Sequence, residues 1–527
     1  MSVGRSAGLA AAALVLVAPL ALAAEQRPVR PPAVPEAARE ALVSAHQQVG
    51  RGDLVRARAL ANEALRAAPA FAEALVLLGW LDEQESRLED ALANYRRAVA
   101  ASPDLAEAHD RLGFLLGRLG DTDEAVASFE RAVAANPKLF DPQYHLGATL
   151  WWIGQHAQAL APLRRAVQLD PSHAEARYYL GRVLLATGDV EAAVGALREA
   201  VRLAPNLGVA HLHLGLALKE WGDIDGATAA LGAAVAADPS SADAKNSLGL
   251  ALVQRGRGEE AETLFRQILE ADPGYSTAHL NLGMSQLQRG DLDAAVATLR
   301  DLVAREPGNA LAFYNLGMAL KQKDDFEQAE EALRRAMRLD PALSDPPFTL
   351  GVVTWQRGRP EEAADLFRRA IVMRPDYGEA HYMLGTVLRQ LGKRDEALAE
   401  FREAIRLMPS SSEAFLSLGQ LLQQLGQREE AARALDEAER LNRRKADAQA
   451  STFTVGVGLE RLKQGDLDGA IEKFEEAVTL AADNPQAHYQ LALALQRKGR
   501  TADAARHLEE AHRLAPYLTP PVPERND

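Results

Sequence analysis

Hydrophobic and polar positions alternate along the chain with a helical period. In residues 106–139, apolar side chains recur three and four residues apart, first in a segment that ends at Gly120 and then in one that ends before Pro137. This spacing predicts two amphipathic helices, because glycine often terminates a helix and proline cannot continue one. Asp123 and Glu124 stand where the second helix would begin, the end of a helix that favours negative charge. The segment is therefore predicted to be a helix–turn–helix.

The same pattern returns every 34 residues from Ala38 onwards. One column of this register holds prolines from Pro69 to Pro409, a second holds glycines from Gly79 to Gly419, and a third holds alanines from Ala57 to Ala431. The small glycine and alanine allow the two helices of a repeat to approach closely. Fourteen repeats are predicted, and their first residues, which define position 1 of each repeat, are Ala38, Ala72, Ala106, Phe140, Ala174, Gly208, Ala242, Ser276, Ala310, Ser344, Gly378, Ser412, Ser451 and Pro485.

The register slips once, after the twelfth repeat. Arg443 stands where the closing proline would be, and the next mid-repeat alanine, Ala470, comes five residues late. The intervening segment contains no glycine or proline, so it is either a lengthened second helix or a hinge. We therefore divide the repeats into twelve in residues 38–445, a break at 446–450 and two further repeats in 451–518.

These columns resemble the tetratricopeptide repeat family. The Leu-Gly pair, the mid-repeat alanine, the Phe or Leu four residues later, the next alanine and the closing proline all match the family's pattern, whereas position 4 is usually His and position 11 usually Leu. The resemblance covers about nine-tenths of the chain. It implies an all-α, right-handed superhelical solenoid whose first helices line the concave face, and a function in binding other proteins.

The N-terminus carries a targeting pattern. Arg5 precedes an apolar run, Ala7 to Ala24, and residues 21–23 form an A-x-A cleavage pattern. Residues 1–23 are predicted to be a secretory signal peptide, which would place the protein in the periplasm or outside the cell; the alternative is an uncleaved anchor helix. The proline-rich residues 24–37 are predicted to form an extended linker, and 519–527 a C-terminal tail.

Composition and motifs give no sign of catalysis. The net charge of −14 argues against a general nucleic-acid or anionic-membrane surface, and the absence of cysteine excludes disulfides and thiolate chemistry. No nucleophile, phosphate-loop or dinucleotide motif is present. His211 and His213 are two residues apart on a predicted helix and so point to different faces. We expect no enzyme activity, cofactor or metal.

Helical geometry assigns positions 4, 7, 8 and 11 of the first helix to the core, which leaves positions 2, 5, 6, 9, 12 and 13 for the inner surface. Aromatic residues and cations are concentrated at such positions in repeats three to five, and these are the types that dominate binding hot spots. The alternative is that these rings only pack between neighbouring repeats. The candidate residues are Phe114, Arg118, Tyr144, His145, Trp151, Trp152, Tyr178, Tyr179 and Arg182.

A second candidate is a row of amides. Position 13 is glutamine in six successive repeats, and Asn281 and Asn315 stand at position 6 of adjacent repeats near Trp355. Amides donate and accept, so such a row could bind the backbone of an extended peptide; the alternative is a solvated polar position. The glutamines are Gln254, Gln288, Gln322, Gln356, Gln390 and Gln424.

The sequence therefore favours a non-enzymatic scaffold that binds partner polypeptides in a concave groove outside the cytoplasm. Two alternatives remain open. One is a carbohydrate- or polymer-binding module, which aromatic rows would also serve. The other is an accessory subunit of an envelope enzyme complex.

Overall fold

A computed structural model describes residues 34–518 of the chain. The predicted signal peptide, residues 24–33 of the predicted linker and the C-terminal tail lie outside the described residues, and the last two residues of the predicted linker already belong to the first helix. Within residues 34–518 every regular element is a helix, and there are twenty-seven. None of the helices in this range is long and apolar enough to cross a membrane. The prediction of an all-α chain of helix pairs is confirmed.

The chain forms two compact units, an N-terminal unit that ends at Thr149 and a C-terminal unit that begins at Leu150. The N-terminal unit contains α1 Glu36–Gly50, α2 Leu54–Ala67, α3 Ala72–Gln84, α4 Leu88–Ala101, α5 Ala106–Leu119, α6 Thr122–Ala135 and most of α7 Phe140–Trp152.

The C-terminal unit contains the remaining helices. They are α8 His156–Leu169, α9 Ala174–Ala186, α10 Val190–Leu203, α11 Gly208–Trp221, α12 Ile224–Ala237, α13 Ala242–Gln254, α14 Gly258–Ala271, α15 Ser276–Gln288, α16 Leu292–Arg305, α17 Ala310–Gln322, α18 Phe326–Leu339, α19 Asp345–Gln356, α20 Pro360–Met373, α21 Gly378–Gln390, α22 Arg394–Leu407, α23 Ser412–Gln424, α24 Arg428–Lys463, α25 Leu467–Leu480, α26 Pro485–Arg497 and α27 Thr501–Leu514.

Each predicted repeat corresponds to one helix pair, because glycines end the first helices and capping residues begin the second helices at the predicted positions. Gly120 and Gly188 end first helices with φ of 90° and 85°, a left-handed conformation that glycine adopts without a steric penalty. At the start of a second helix, the Asp223 carboxylate accepts a hydrogen bond of 2.8 Å from the backbone N–H of Gly226, as expected for an N-cap.

The glycine column sets how closely the two helices of a repeat approach. A Cβ atom added at Gly351 would lie 2.7 Å from the Phe367 ring across the pair, which is well inside contact distance. The first repeat has alanine in place of this glycine, Ala45, and there the opposing residue is the small Ala61, with both fully buried. The glycine is therefore paired with a large residue on the second helix.

A buried carboxylate links neighbouring repeats in the C-terminal unit. Glu330 is 5% exposed and forms ion pairs with Arg334 on its own helix and with Arg357 and Arg359 of the following turn. Burial acts to raise the pKa of Glu330, but the hydrogen bond from Arg359 and the three positive charges outweigh it and lower this pKa below its ordinary value. The charged form of Glu330 is thus stabilised by folding.

At the register slip the chain forms a single long helix. α24 has 36 residues and serves as the second helix of the twelfth repeat and the first helix of the thirteenth. Of the two alternatives left by the sequence, the structure has the lengthened helix, and the predicted break at 446–450 lies inside it. Nearly all of residues 442–450 are exposed.

The twelfth and thirteenth repeats, on either side of this stretch, expose surfaces that are covered by a neighbouring repeat elsewhere in the chain. Phe453 is 75% exposed at position 3, where the neighbouring Ala414 and Ala487 are fully buried. Glu439 is exposed at position 28, where the preceding repeat has the partly buried Ile405. The twelfth repeat therefore ends one run of stacked pairs and the thirteenth begins another, with α24 belonging to both.

Candidate functional site on the first helices

The first helices of the C-terminal unit lie on the inner side of the stack. Successive first helices contact one another, as α9 contacts α11 and α13 contacts α15, whereas successive second helices in the described repeats do not approach as closely. Elements on the inside of a curve are closer together than those on the outside. The side chains at positions 5, 6, 9 and 12 of repeats five to twelve therefore form a continuous surface, which we call the inner face.

The N-terminal unit holds four of the predicted aromatic-cluster residues, and two of these are already engaged. Arg118 forms an ion pair of 2.9 Å with Glu83, and the His145 Nδ1 atom lies 2.9 Å from the Asp110 carboxylate.

Phe114 is 42% exposed and its ring centroid lies 5.4 Å from that of His145, which in turn lies 5.6 Å from that of Tyr144. These rings pack against one another, while Arg118 is neutralised by a neighbouring repeat.

The C-terminal unit brings the other five together as the Arg182 patch, which consists of Trp151, Trp152, Tyr178, Tyr179 and Arg182. The Arg182 guanidinium carbon lies 3.5 Å from the centroid of the Trp151 ring, and its Nη1 donates a hydrogen bond of 3.0 Å to the Tyr178 hydroxyl. Trp151 also lies 5.9 Å from Tyr179 and 5.1 Å from Trp152 between ring centroids.

The members of the Arg182 patch differ in accessibility. Trp152 is 69% exposed and Tyr178 is 7% exposed, whereas Trp151, Tyr179 and Arg182 are half-buried. Trp151 and Trp152 are consecutive on one helix and so point about 100° apart, which is why one is half-buried and the other exposed. Tyr178 instead agrees with the alternative that the rings pack between repeats, since it is buried and its hydroxyl holds Arg182 through a hydrogen bond.

Arg182 forms no ion pair with any described carboxylate, and it contacts the Trp151 and Tyr178 side chains instead. A guanidinium stacked on an indole keeps most of its edge N–H groups free for a planar acceptor. Next to it, His213 packs 5.5 Å from Tyr178 between ring centroids, and burial lowers the pKa of this imidazole. The patch is thus a fixed cation held by aromatic rings.

The predicted amide row lies at the ends of the first helices. Each of its glutamines, Gln322 and Gln356 included, is the last residue of a first helix and is exposed. The Gln390 Oε1 atom accepts a hydrogen bond of 2.7 Å from the Trp355 indole.

The two asparagines named with the glutamine row lie on the inner face. The Asn281 amide donates to Asn246 of the preceding repeat at 2.8 Å. Asn315 is 7% exposed and so offers little surface to a ligand. Asn281 thus contributes to a contact between repeats.

Sequence reasoning missed three further cations on the inner face. Lys219, Lys321 and Arg389 occupy position 12 of repeats six, nine and eleven, and all three are half-buried. Arg389 donates a long hydrogen bond of 3.4 Å to Gln420. Burial lowers the pKa of Lys321. Sorting the charged residues by repeat position would have revealed them.

An apolar row runs between these cations at position 9. Met284 is 44% exposed, and the other members are half-buried. Methionine side chains adapt to irregular apolar partners. The row consists of Leu216, Leu250, Met284, Met318 and Val352.

Comparison with protein families agrees with this geometry. Models described as tetratricopeptide repeat match residues 34–106, 146–208 and 212–276 and residues 106–139. A model described as TPR repeat matches residues 458–499. The C-terminal domain of cilia and flagella-associated protein 70 matches residues 263–454. No curated protein matches the chain.

Among solved structures, the chain is similar to YrrB, described as a TPR protein with an unusual peptide-binding site, at 26% identity over 35% of this chain and 95% of that one, with a TM-score of 0.33. It is similar to a thermophilic TPR protein of Thermus thermophilus at 25% identity over 35% and 100%, with a TM-score of 0.31. Yeast Tom70 matches at 18% identity over 85% and 99%, with a TM-score of 0.36. With its 34-residue helix pairs and these family matches, the chain belongs to the tetratricopeptide repeat family.

Proposed function

We propose that this protein is a non-enzymatic scaffold that binds an extended polypeptide segment along its inner face, with the Arg182 patch as the main anchor. Tetratricopeptide repeat proteins generally mediate protein–protein interactions. The observation that carries the proposal is the state of Arg182, which is stacked on Trp151, bonded to Tyr178 and paired with no described carboxylate. The signal-like N-terminus supports placing this activity outside the cytoplasm.

The arrangement suits a peptide because the Arg182 side chain is already ordered before a ligand binds. A long arginine side chain loses rotamer freedom when a ligand immobilises it, but Arg182 is held in place by two rings before binding. The exposed Trp152 next to it offers a large apolar surface. Trp, Tyr and Arg are enriched at positions where truncation costs most of the binding free energy.

The carbohydrate alternative fits the patch less well. A sugar ring stacks on an open aromatic face, whereas the face of Trp151 is covered by the Arg182 guanidinium. Trp152 is edge-on to Trp151, with an interplanar angle of 80°. The two indoles therefore do not form a flat platform for a saccharide.

The test uses the full chain to capture partners from envelope extract of the native host, followed by measurement of affinity for the identified partner. We expect Trp152→Ala to weaken binding by about 2 kcal/mol, since the ring is exposed and its loss leaves the fold intact. Arg182→Gln should have a similar effect. Val372→Ala is the matched control, because Val372 is 81% exposed on the second helix α20. Equal binding by all three variants, with unchanged circular dichroism, would contradict the anchor.

A further inference from the structure

Cations at one position of three successive second helices are paired between repeats. At position 25, three successive arginines each form an ion pair with the glutamate at position 19 of the next repeat, with N···O distances of 2.7–3.2 Å. The pairs are Arg334–Glu362, Arg368–Glu396 and Arg402–Glu430. These three position-25 cations are therefore neutralised on the outer side of the stack.

The inner face is different. Arg182, Lys219, Lys321 and Arg389 are all half-buried, and none of the four forms an ion pair with a carboxylate of residues 34–518. A partly desolvated ammonium without a counter-charge costs free energy. The lowered pKa of Lys321 has burial as its only cause, which is the expected consequence.

The composition of the inner face shows the same imbalance. Positions 5, 6, 9 and 12 of repeats five to twelve contain four cations and no aspartate or glutamate, although the chain as a whole has a net charge of −14. Carboxylates such as Asp243, Glu379 and Glu220 occur only at positions 2 and 13, near the helix ends. The surface formed by positions 5, 6, 9 and 12 is therefore mainly apolar, and its charged groups are cations.

We infer that the occupant of the inner face is an acidic extended polypeptide segment, whose carboxylates meet Arg182, Lys219, Lys321 and Arg389 and whose apolar side chains lie on the position-9 row. This inference rests on the proposed function. A carboxylate that meets an unpaired, half-buried cation restores the missing counter-charge, and such charge-assisted hydrogen bonds are the strong ones.

A polypeptide fits these observations better than another polyanion does. Nucleic acids and anionic polysaccharides carry charge at every residue or nearly so, and they require a dense cationic track. Here the cations are one to three repeats apart and are separated by leucine, methionine and valine.

The experiment measures binding of labelled synthetic peptides to the full chain by fluorescence anisotropy at low and at physiological salt. One peptide is four copies of Glu-Leu-Ser-Glu, and its matched peptide has glutamine for every glutamate. We expect the acidic peptide to bind at least about tenfold more tightly and to weaken with added salt. Oligothymidylate and an alginate oligosaccharide serve as the other polyanions.

The variant Lys321→Gln with Arg389→Gln should weaken the acidic peptide by about tenfold and leave the glutamine peptide unchanged. Arg368→Gln with Arg402→Gln is the control, because it removes the same charge from the outer side. Equal affinity for both peptides, or an equal effect of the two double variants, would overturn the inference.

Tighter binding of the oligothymidylate or the alginate than of the acidic peptide would also overturn it, in favour of a polyanion site. The proposed function fails separately, when Trp152→Ala does not affect binding of the captured partner.

Discussion

Substitution of Gly351 by alanine tests whether the glycine column limits the approach of the two helices. Helix propensity alone favours the change by about 1 kcal/mol. The new Cβ, however, would lie 2.7 Å from a Phe367 ring carbon, about 1 Å inside the usual separation of 3.5–4.0 Å. Phe367 is fully buried and its ring lies 5.7 Å from that of Phe348, so it has no free space to enter.

The steric term can be isolated with a second helical glycine. A Cβ added at Gly195 in α10 meets no atom within 4 Å, so Gly195→Ala should show only the propensity gain. Overpacking a dense core costs about 1–3 kcal/mol, and this is the difference in the free energy of unfolding that we expect between the two variants. Gly351→Ala should therefore range from neutral to about 2 kcal/mol less stable than the wild type.

The assay is urea denaturation followed by far-ultraviolet circular dichroism, combined with hydrogen exchange of peptides from α19 and α20. The second measurement is needed because repeat stacks unfold locally and not as one cooperative body. Faster exchange confined to these helices is the expected result. If Gly351→Ala is as stabilised as Gly195→Ala, with unchanged exchange, then the glycine column does not set the helix spacing.

Three further predictions address the buried carboxylate, the long helix and the N-terminus. Because the folded-state pKa of Glu330 is lowered from its ordinary value of 4.5, its contribution to stability is present above that pH and is lost as pH falls through the lowered pKa. Glu330→Gln should lower the free energy of unfolding by about 2 kcal/mol at neutral pH. It should also reduce the loss of stability at acid pH, measured by urea unfolding at a series of pH values; an unchanged pH dependence would contradict this. Limited trypsin digestion should cut first at residues 443–445, in the exposed stretch of α24, and Ala446→Pro should accelerate this cut; earlier cuts within repeats four to nine would argue against it. Intact-mass measurement on protein from the native host should show a chain cleaved near Ala23, and a chain that still begins at the initiator methionine would refute export with cleavage.

The sequence by itself was sufficient for the repeat, since its signals are local. Gly120 and Pro137 act on their own backbone, and apolar spacing determines which face of a helix is buried. The register slip was also visible in the sequence, because a five-residue insertion changes the periodicity wherever it lies. The choice between a hinge and a continuous helix was not visible in the sequence, since a stretch without glycine or proline is compatible with both, and only the structure shows that α24 continues through residues 442–450 although nearly all of them are exposed.

Only the tertiary structure decided which candidate side chains are available to a ligand. Arg118 and Arg182 look equivalent in the sequence, yet Arg118 pairs with Glu83, thirty-five residues away, while Arg182 is held by rings and pairs with no carboxylate of residues 34–518. Likewise the glutamine row is periodic, but only the structure shows that its side chains are exposed and that Gln390 bonds to Trp355 of the preceding repeat. The physical reason is the same in both cases: periodicity fixes the direction of a side chain on its own helix, whereas its exposure and charge compensation depend on contacts with the neighbouring repeats.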